Sequence, residues 1–286
     1  NNDFMWWIPL RKNQVMLETW HGGGAYKRVG SYEHWSSVML KDQKLNARQI
    51  THYISSSRKF TEVQAPSKWV SVEKFINTGM PRNEIFFYPE KMKALRDKVF
   101  GFYKLEPDTK ILLYAPTYRG LTGYKQKSIC DVEPDYARLL ATVKKRFRYN
   151  WVLFHRAHYF DSKLLKELSD SVIDATKYED MQELLCAADV LVTDYSSSMW
   201  DYALTGRPCF LYVPDLQEYI ADRGFYTEPS TWPGILAKTE DELEQCVSGF
   251  DADSYSAKVK AHLEALGSYE NKDACERVCN LIFIDK

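Results

Sequence analysis

The chain has 286 residues, a hydrophobic content of 45% and a formal net charge of −1 at pH 7. This length is enough for two domains, each with its own buried core. A net charge near zero excludes a general electrostatic attraction to nucleic acid or to an acidic membrane, so any anion site has to be local. No stretch approaches the roughly 20 apolar residues of a membrane span, and no signal-peptide pattern is present. We therefore expect a soluble globular protein that binds no nucleic acid.

The predicted elements alternate between strands and helices, which is typical of βαβ units with a parallel sheet between layers of helices. In chain order they are strands at Val15–Thr19 and Thr51–Ser55, a loop at Asn77–Pro89, the helix "KMKALRDKVFGFYKL", the strand "KILLYAP", the helix "DYARLLATVKKRF", the strands "NWVLFH" and "SVID", the helix "DMQELLCAA", the strand "DVLVTD", the helix "SMWDYAL" and the strand "PCFLYV".

We place a domain boundary near Glu106. Residues 1–105 are predicted to form an N-terminal Rossmann-like domain, and residues 106–286 a C-terminal one. Because the first part holds only two or three strand candidates, we expect its sheet to be incomplete.

A glycine cluster follows the first predicted strand in "TWHGGGAYKRVG". His21 stands at the strand end and is followed by Gly22, Gly23 and Gly24, and then by Lys27. Glycines let backbone N–H groups approach a ligand closely, and a basic residue favours an anion. An imidazole can take a proton from a hydroxyl at neutral pH. Since ligands of open parallel sheets bind outside the carboxyl ends of the strands, this segment is a candidate binding loop.

Two later strand ends also carry cationic or titratable groups. Arg119 follows "KILLYAP", while His155 ends "NWVLFH" and Arg156 follows it. The sheet would bring these ends together, which favours a shared function. His155 and His158 could bind a metal, but no carboxylate lies beside them. The six cysteines form no CxxC pair and are predicted to be reduced, which argues against a zinc site. We expect no metal and no cofactor. The remaining histidines are predicted to be structural: His34, His52 and His262.

Three serines stand where a buried strand changes to a helical pattern, in "ADVLVTDYSSSMWDYALTG". Asp194 ends the strand, and Ser196, Ser197 and Ser198 open the helix. Ser198 and Asp201 have the spacing of a capping box, which predicts a structural role for at least one serine. A helix N-terminus with free N–H groups is also a phosphate site. There is no GxSxG elbow, so we do not expect a nucleophilic serine. The two remaining roles of the serines, capping the helix and binding phosphate, are compatible.

Five segments occur in the order and at about the spacing seen in one known family. They are "TWHGGGAYKRVG", "ILLYAPTYRG", "LFHRAHY", "DMQELLCAADVLVTDYSSSMWDY" and "YVPDLQEYIADRGFY". Over about Val15 to Tyr226 the chain resembles the CDP-glycerol glycerophosphotransferases, the teichoic-acid polymerases and primases with their capsule-synthesis relatives. The resemblance implies a GT-B fold, in which two Rossmann-like domains with parallel sheets face a cleft. The family normally has more chain before the first histidine, so we expect the N-terminal domain to be truncated.

The resemblance implies a phosphoryl transfer. A hydroxyl of a lipid-linked or polymeric acceptor attacks the β-phosphorus of CDP-glycerol or a related CDP-polyol, and CMP leaves. His21 matches the family's general base, His155 the histidine that stabilises phosphate charge, and Asp201 an acidic residue near the donor or acceptor. Such a reaction needs positioning and charge stabilisation more than covalent catalysis. The matching donor-binding positions are Arg119, Asp194, Ser196, Ser197, Ser198 and Arg223, and the acceptor-side loop holds Gly22, Gly23, Gly24 and Lys27.

Three positions depart from the family's usual sequence. Gly23 and Gly24 stand where "TP" usually follows the first histidine and glycine, which leaves the acceptor contact open. Arg156 stands where proline usually follows the second histidine. "YRG" replaces "WRD", which removes a carboxylate beside Arg119.

Two other functions stay open. A GT-B glycosyltransferase that uses a nucleotide sugar would release a nucleoside diphosphate instead of CMP. A truncated module would bind the nucleotide without turnover. The lipid-linked acceptor of the family implies a cytoplasmic protein that is peripheral at the inner face of the cell membrane.

Overall fold

Two parallel sheets organise the chain. The computed structural model describes residues 7, 9–117, 133–157 and 171–283. The smaller sheet has the strand order β1-β2-β3 and the larger one the order β6-β5-β4-β7-β8-β9. The strands are β1 (Leu17–Glu18), β2 (His52–Ile54), β3 (Phe75–Ile76), β4 (Lys110–Tyr114), β5 (Trp151–His155), β6 (Val172–Asp174), β7 (Val190–Thr193), β8 (Cys209–Tyr212) and β9 (Ile235–Ala237).

Ten helices within the described residues cover these sheets, and a 3-10 helix at Pro81–Phe87 lies within the segment that the sequence predicted as a loop. They are α1 (Ser37–Gln49), α2 (Arg58–Ser67), α3 (Pro89–Tyr103), α4 (Tyr136–Phe147), α5 (Met181–Ala187), α6 (Ser198–Ala203), α7 (Leu216–Asp222), α8 (Glu240–Ser248), α9 (Ala252–Leu266) and α10 (Ala274–Phe283). Among the described helices, none combines the length and the apolar character that a membrane crossing requires.

The larger sheet forms because its central strands are continuous apolar runs. All residues of β7 and β8 are buried, and so are four of the five in β4. Helices cover both faces of a parallel sheet. The residues of its strands are therefore apolar on both faces and do not alternate with polar residues. The helix after β4 begins where the sequence predicts it, because the Asp135 carboxylate caps it by accepting from the N–H of Arg138 at 3.0 Å.

Two hydrophobic clusters accompany the two sheets. Helix α3, which precedes residue 105, contributes Val99 and Phe100 to the larger cluster. Helix α10 contributes Val278 to the smaller cluster, although it lies at the C-terminal end of the chain. The division into residues 1–105 and 106–286 stays a prediction, and this packing favours a boundary nearer Pro89 with α10 returning to the N-terminal unit.

The central strands allow a direct test of this core. Leu191 in β7 is completely buried, whereas Leu281 in α10 is 44% exposed. We expect Leu191→Ala to lower the free energy of unfolding by about 2–5 kcal/mol, because it leaves a cavity in a close-packed core. Leu281→Ala is the matched control and should stay within about 0.5 kcal/mol of the parent. Urea denaturation measures both, and equal losses in the two variants would contradict this assignment of the core.

Candidate functional site

An open cavity of about 240 Å³ lies at the carboxyl ends of β4, β5 and β7, where they meet the loop that follows β1. This is the edge at which parallel sheets bind their ligands. The side chains and backbone around it come from both sheets and from the connection between them. They are His21, Arg82, Ala115, Pro116, Arg156, Ala157, Met181, Gln182, Ser196, Ser197, Ser198 and Asp201.

The glycine run brings His21 to the serines because it has no side chains. A Cβ added at Gly22 would lie 2.2 Å from Ser197 Oγ, and one added at Gly23 would lie 2.4 Å from the Trp200 ring. A Cβ at Gly24 would lie 2.1 Å from the ring of Tyr26. Gly22 and Gly23 therefore let the loop after β1 lie directly on α6. Whether Gly22, Gly23 and Gly24 also contact an acceptor stays a prediction.

The "YKR" and "GFY" segments pair with each other and hold this loop in place. Lys27 forms an antiparallel bridge with Phe225. The N–H of Tyr226 donates to the carbonyl of Tyr26 at 2.8 Å. The pairing explains why these two blocks occur together in the sequence. Because Lys27 takes part in this bridge, it is not among the residues that line the cavity.

His21 is a neutral imidazole at pH 7. Burial, together with the positive charges of Lys27, Lys68 and Arg82, lowers its pKa from 6.5 to about 3. A neutral imidazole can accept a proton, which a general base has to do.

Arg82 links His21 to Asp201. Its guanidinium donates to the backbone carbonyl of His21 at 2.8 Å and forms an ion pair with the Asp201 carboxylate. Asp201 is 2% exposed and also accepts from Asn83 Nδ2 at 2.9 Å. Burial raises the pKa of Asp201, while Arg82 and the hydrogen bonds lower it. With its oxygens held in this way, Asp201 anchors the cation, and its catalytic role stays a prediction.

The sequence analysis missed Arg82 and Asn83. They lie in "MPRNE", a connection with no motif, and only their contacts across the fold reveal them. The predicted capping box between Ser198 and Asp201 is wrong, because the Asp201 carboxylate is directed to these two residues.

Ser196, Ser197 and Ser198 all line the cavity, as predicted. The hydroxyl of Ser198 donates to Ser196 Oγ at 2.9 Å, and the N–H of Ser198 donates to the same oxygen at 3.3 Å. The N-cap residue, Ser197, makes no side-chain cap bond. The hydroxyls and the start of α6 therefore form one wall of the cavity, beside the His21 loop, whose Gly22 approaches Ser197.

The structure does not bring His155 into the cavity. This residue is 1% exposed, and its ring lies 5.6 Å from the Tyr114 ring and 5.8 Å from the Tyr136 ring. Its Nε2 atom is 3.4 Å from a carboxylate oxygen of Glu133. Successive residues of a strand point to opposite faces, so Arg156 and not His155 lines the cavity. The predicted phosphate contact of His155 is therefore not supported by its position.

Asp194 also lies outside the cavity lining. The buried Asp194 carboxylate accepts from the N–H of Thr117 at 2.9 Å and from its hydroxyl at 2.6 Å. These bonds tie the end of β7 to the segment after β4.

Arg223 ends α7, where its guanidinium lies 3.9 Å from the Asp222 carboxylate and 5.8 Å from the Tyr219 ring centre. It is not among the residues that line the cavity. The donor-binding roles of Asp194 and Arg223 stay predictions. Arg119 and His158 fall outside the described residues.

Comparison with known proteins identifies the family. The model of the CDP-glycerol:poly(glycerophosphate) glycerophosphotransferases matches residues 1–284. The chain belongs to this family. The predicted membership is thereby confirmed over almost the whole chain.

The family's individual members agree with this assignment. A teichoic acid poly(ribitol-phosphate) polymerase of Bacillus spizizenii is 31% identical over 244 residues, which cover 82% of this chain and 38% of the polymerase. A teichoic acid ribitol-phosphate primase of the same organism is 27% identical over 286 residues, which cover 96% of this chain and 71% of the primase. The chain thus spans well under half of the polymerase.

The fold prediction is also confirmed. The solved structure of the wall teichoic acid polymerase TagF superposes with a TM-score of 0.81 at 26% identity. The match covers 96% of this chain and 69% of that structure. Its fold is the GT-B arrangement of two parallel sheets facing a cleft. Across the parts of the chain that the structure describes, no group of three or more His, Cys, Asp or Glu residues is placed to hold a metal ion.

The close approach of Gly22 to Ser197 can be tested by stability. Gly22→Ala should lower the free energy of unfolding by about 1–3 kcal/mol, because its methyl group overlaps a packed side chain. Gly101 in α3 is the matched control, since a Cβ there would meet no atom within 4 Å. Gly101→Ala should raise the stability by about 0.5–1 kcal/mol. Chemical denaturation of the two variants measures both changes, and a neutral Gly22→Ala would show that the loop does not lie on α6.

Proposed function

We propose that this protein transfers a polyol phosphate from a CDP-activated polyol, CDP-glycerol or a relative, to a hydroxyl of a polymeric or lipid-linked acceptor, with release of CMP. The product would extend a teichoic-acid or capsule type of polymer. Family membership supports the reaction class, and the cavity between the two sheets supports the site.

The observation that carries this proposal is the chemistry of the cavity lining. A neutral imidazole lies on one wall, and the guanidinium groups of Arg82 and Arg156 lie around it. The carboxylate in the lining, Asp201, is already paired with Arg82. Arg156 donates to the carbonyls of Ala175 and Tyr178 at 3.3 and 2.5 Å, which fixes its guanidinium at the edge of the site. Such a lining favours a dianionic diphosphate over a neutral or cationic ligand.

We assign the general base to His21. The acceptor hydroxyl would form a bond to the β-phosphorus while the bond from that phosphorus to the oxygen of the α-phosphate breaks. The hydroxyl proton would pass to the imidazole, and CMP would leave with the electron pair. Bound diphosphate would also raise the pKa of His21, since the new negative charge opposes the cations that lower it. Donor binding would in this way strengthen the base.

We assign the diphosphate contacts to Ser196, Ser197 and Ser198 together with Arg82 and Arg156. The serine hydroxyls and Arg156 line the side of the cavity formed by the larger sheet, and His21 lines the side formed by the smaller one. A reaction that depends on positioning and charge stabilisation needs such a division, with the base on one wall and the phosphate contacts on the other.

The base assignment is tested by His21→Ala. Turnover should fall about 10²–10⁴-fold, because a general base contributes that much. The affinity for CDP-glycerol, measured by calorimetry, should change little. The exposed His34 offers a matched control, and His34→Ala should keep the parent rate. Chromatography of the released nucleotide gives the reaction class, since CMP supports a polyol-phosphate transfer and a nucleoside diphosphate would indicate a glycosyltransferase. Unchanged turnover in His21→Ala would show that His21 is not the general base. Donor binding without any turnover in the parent protein would indicate a nucleotide-binding module.

We also propose that the protein works as a peripheral protein at the cytoplasmic face of the membrane, where a lipid-linked acceptor would lie. The teichoic-acid names of the relatives support this location. Co-sedimentation with vesicles that carry the lipid-linked acceptor should exceed that with vesicles of the same lipids without it. Equal co-sedimentation with both vesicles would show that the acceptor does not recruit the protein.

A further inference from the structure

Glu270 lies where the chain crosses from α9 back to the smaller sheet. Ser268 forms an antiparallel bridge with Ser57, the residue that caps α2. The side-chain amide of Asn271 donates to the carbonyl of Thr78 at 2.7 Å. The crossing segment is thus held on both sides of Glu270, and this fixes the position of its side chain.

Three N–H groups bind the Glu270 carboxylate. Its Oε1 atom accepts from Trp200 Nε1 at 2.8 Å and from Asn83 Nδ2 at 3.0 Å, and its Oε2 atom accepts from the backbone N–H of Met80 at 3.0 Å. These partners come from α6 and from the start of the 3-10 helix. All three partners are donors, so these contacts match an ionised carboxylate.

Asn83 joins this carboxylate to the cavity. Its Nδ2 atom donates to Glu270 and also to Asp201 Oδ1 at 2.9 Å, while its Oδ1 atom accepts from Gln182 at 2.9 Å. Asp201 in turn holds Arg82, which donates to the backbone carbonyl of His21. A continuous chain of hydrogen bonds therefore runs from Glu270 to the loop that carries the base.

A second contact reaches the same loop directly. A Cβ added at Gly23 would lie 3.2 Å from Glu270 Oε1, so the backbone two residues after His21 packs against the carboxylate. The hydroxyl of Ser56 holds the same glycine by donating to its carbonyl.

We propose that Glu270 is a positioning residue for the transferase site, and that its carboxylate fixes Asn83 and Gly23 and thereby orients Arg82 and the His21 loop. Glu270 is not among the residues that line the cavity. This inference rests on the proposed function, because the reaction it supports is the transfer assigned to His21.

The charge of Glu270 links this network to pH. Burial and, to a smaller extent, the negative charge of Asp201 raise the pKa of Glu270 to about 7, against the opposing effect of the three hydrogen bonds. The charged groups that face it are Asp201 on α6 and, beyond that carboxylate, Arg82 on the 3-10 helix; the His21 loop brings Gly23 to it. When pH falls through 7, the added proton displaces a donor, and the bond from Asn83 is lost. Activity should therefore fall with protonation of Glu270, at a higher pH than the protonation of His21, whose pKa is lowered.

The experiment compares Glu270→Gln, Glu270→Asp and the control Glu264→Gln, whose side chain is 66% exposed on α9. We measure kcat and KM for CMP release from CDP-glycerol between pH 5.5 and 8.5. Glu270→Gln should lower kcat about 10- to 100-fold, since a displacement near 1 Å has effects of that order. The KM for the donor should stay within about threefold, because the three serines and Arg156, which Glu270 does not contact, still bind the diphosphate. The step near pH 7 should disappear, and kcat should then change little across this pH range, because the lowered pKa of His21 lies below it.

The two remaining variants separate charge from packing. Glu270→Asp keeps the charge and should recover part of kcat together with a step in the pH profile. Glu264→Gln should match the parent in rate and profile. A parent-like kcat and pH profile in Glu270→Gln would overturn the inference, and so would a loss confined to the KM of the donor.

An NMR titration tests the hydrogen-bond network around Glu270 without relying on activity. In ¹⁵N-labelled parent protein, the indole N–H signal of Trp200 and the amide signal of Gly23 should titrate together around pH 7, and Glu270→Gln should abolish this. If Glu270→Gln does not fold, the titration of the parent protein still gives the answer. Signals that titrate separately, or not at all, overturn the inference. If the parent releases no CMP, the proposed function fails, and the same titration still reports on the network.

Discussion

The ion pair between Arg82 and Asp201 is the contact on which the site depends. A carboxylate buried to this degree is costly unless a cation and hydrogen-bond donors satisfy it. Asp201 lies on α6, Arg82 lies in the connection between the two sheets, and the carbonyl that Arg82 also binds belongs to His21. Neutralising one buried charge therefore places the base, the connection and the serine helix together. The cationic character of the cavity then comes from the Arg82 guanidinium, which Asp201 partly neutralises, from Arg156 and from the start of α6.

The glycines of the His21 loop make this arrangement possible. Close approach of the loop to α6 requires that Gly22 and Gly23 carry no side chain, because Ser197 and the Trp200 ring occupy that space. The pairing of residues 26–28 with residues 224–226 then fixes the loop against the larger sheet. The close backbone contact and the short β-pairing thus fix the His21 loop next to α6. The cavity stays open beside them.

The sequence predicts the parts of this fold that depend on local pattern. Apolar runs such as β4 and β7, the caps of their helices and the serines at a strand end are all visible from composition and spacing. The direction of a side chain at a strand end is not, which is why His155 was expected at the cavity where Arg156 lies. Arg82, Asn83 and Glu270 could not be predicted either, since each acts through contacts with residues 70 to 187 positions away. The packing of α10 against the smaller hydrophobic cluster likewise depends on contacts between distant parts of the chain and is not visible in the local sequence.

The central claim is that the cavity between His21 and the three serines binds the diphosphate of the donor. A crystal structure of the protein with CDP-glycerol tests this most directly. We expect the two phosphate groups within hydrogen-bond distance of Ser196, Ser197 or Ser198 and of Arg156, with the β-phosphorus on the side of His21. A donor bound with its diphosphate elsewhere, or with the β-phosphorus turned away from the imidazole, would contradict the account.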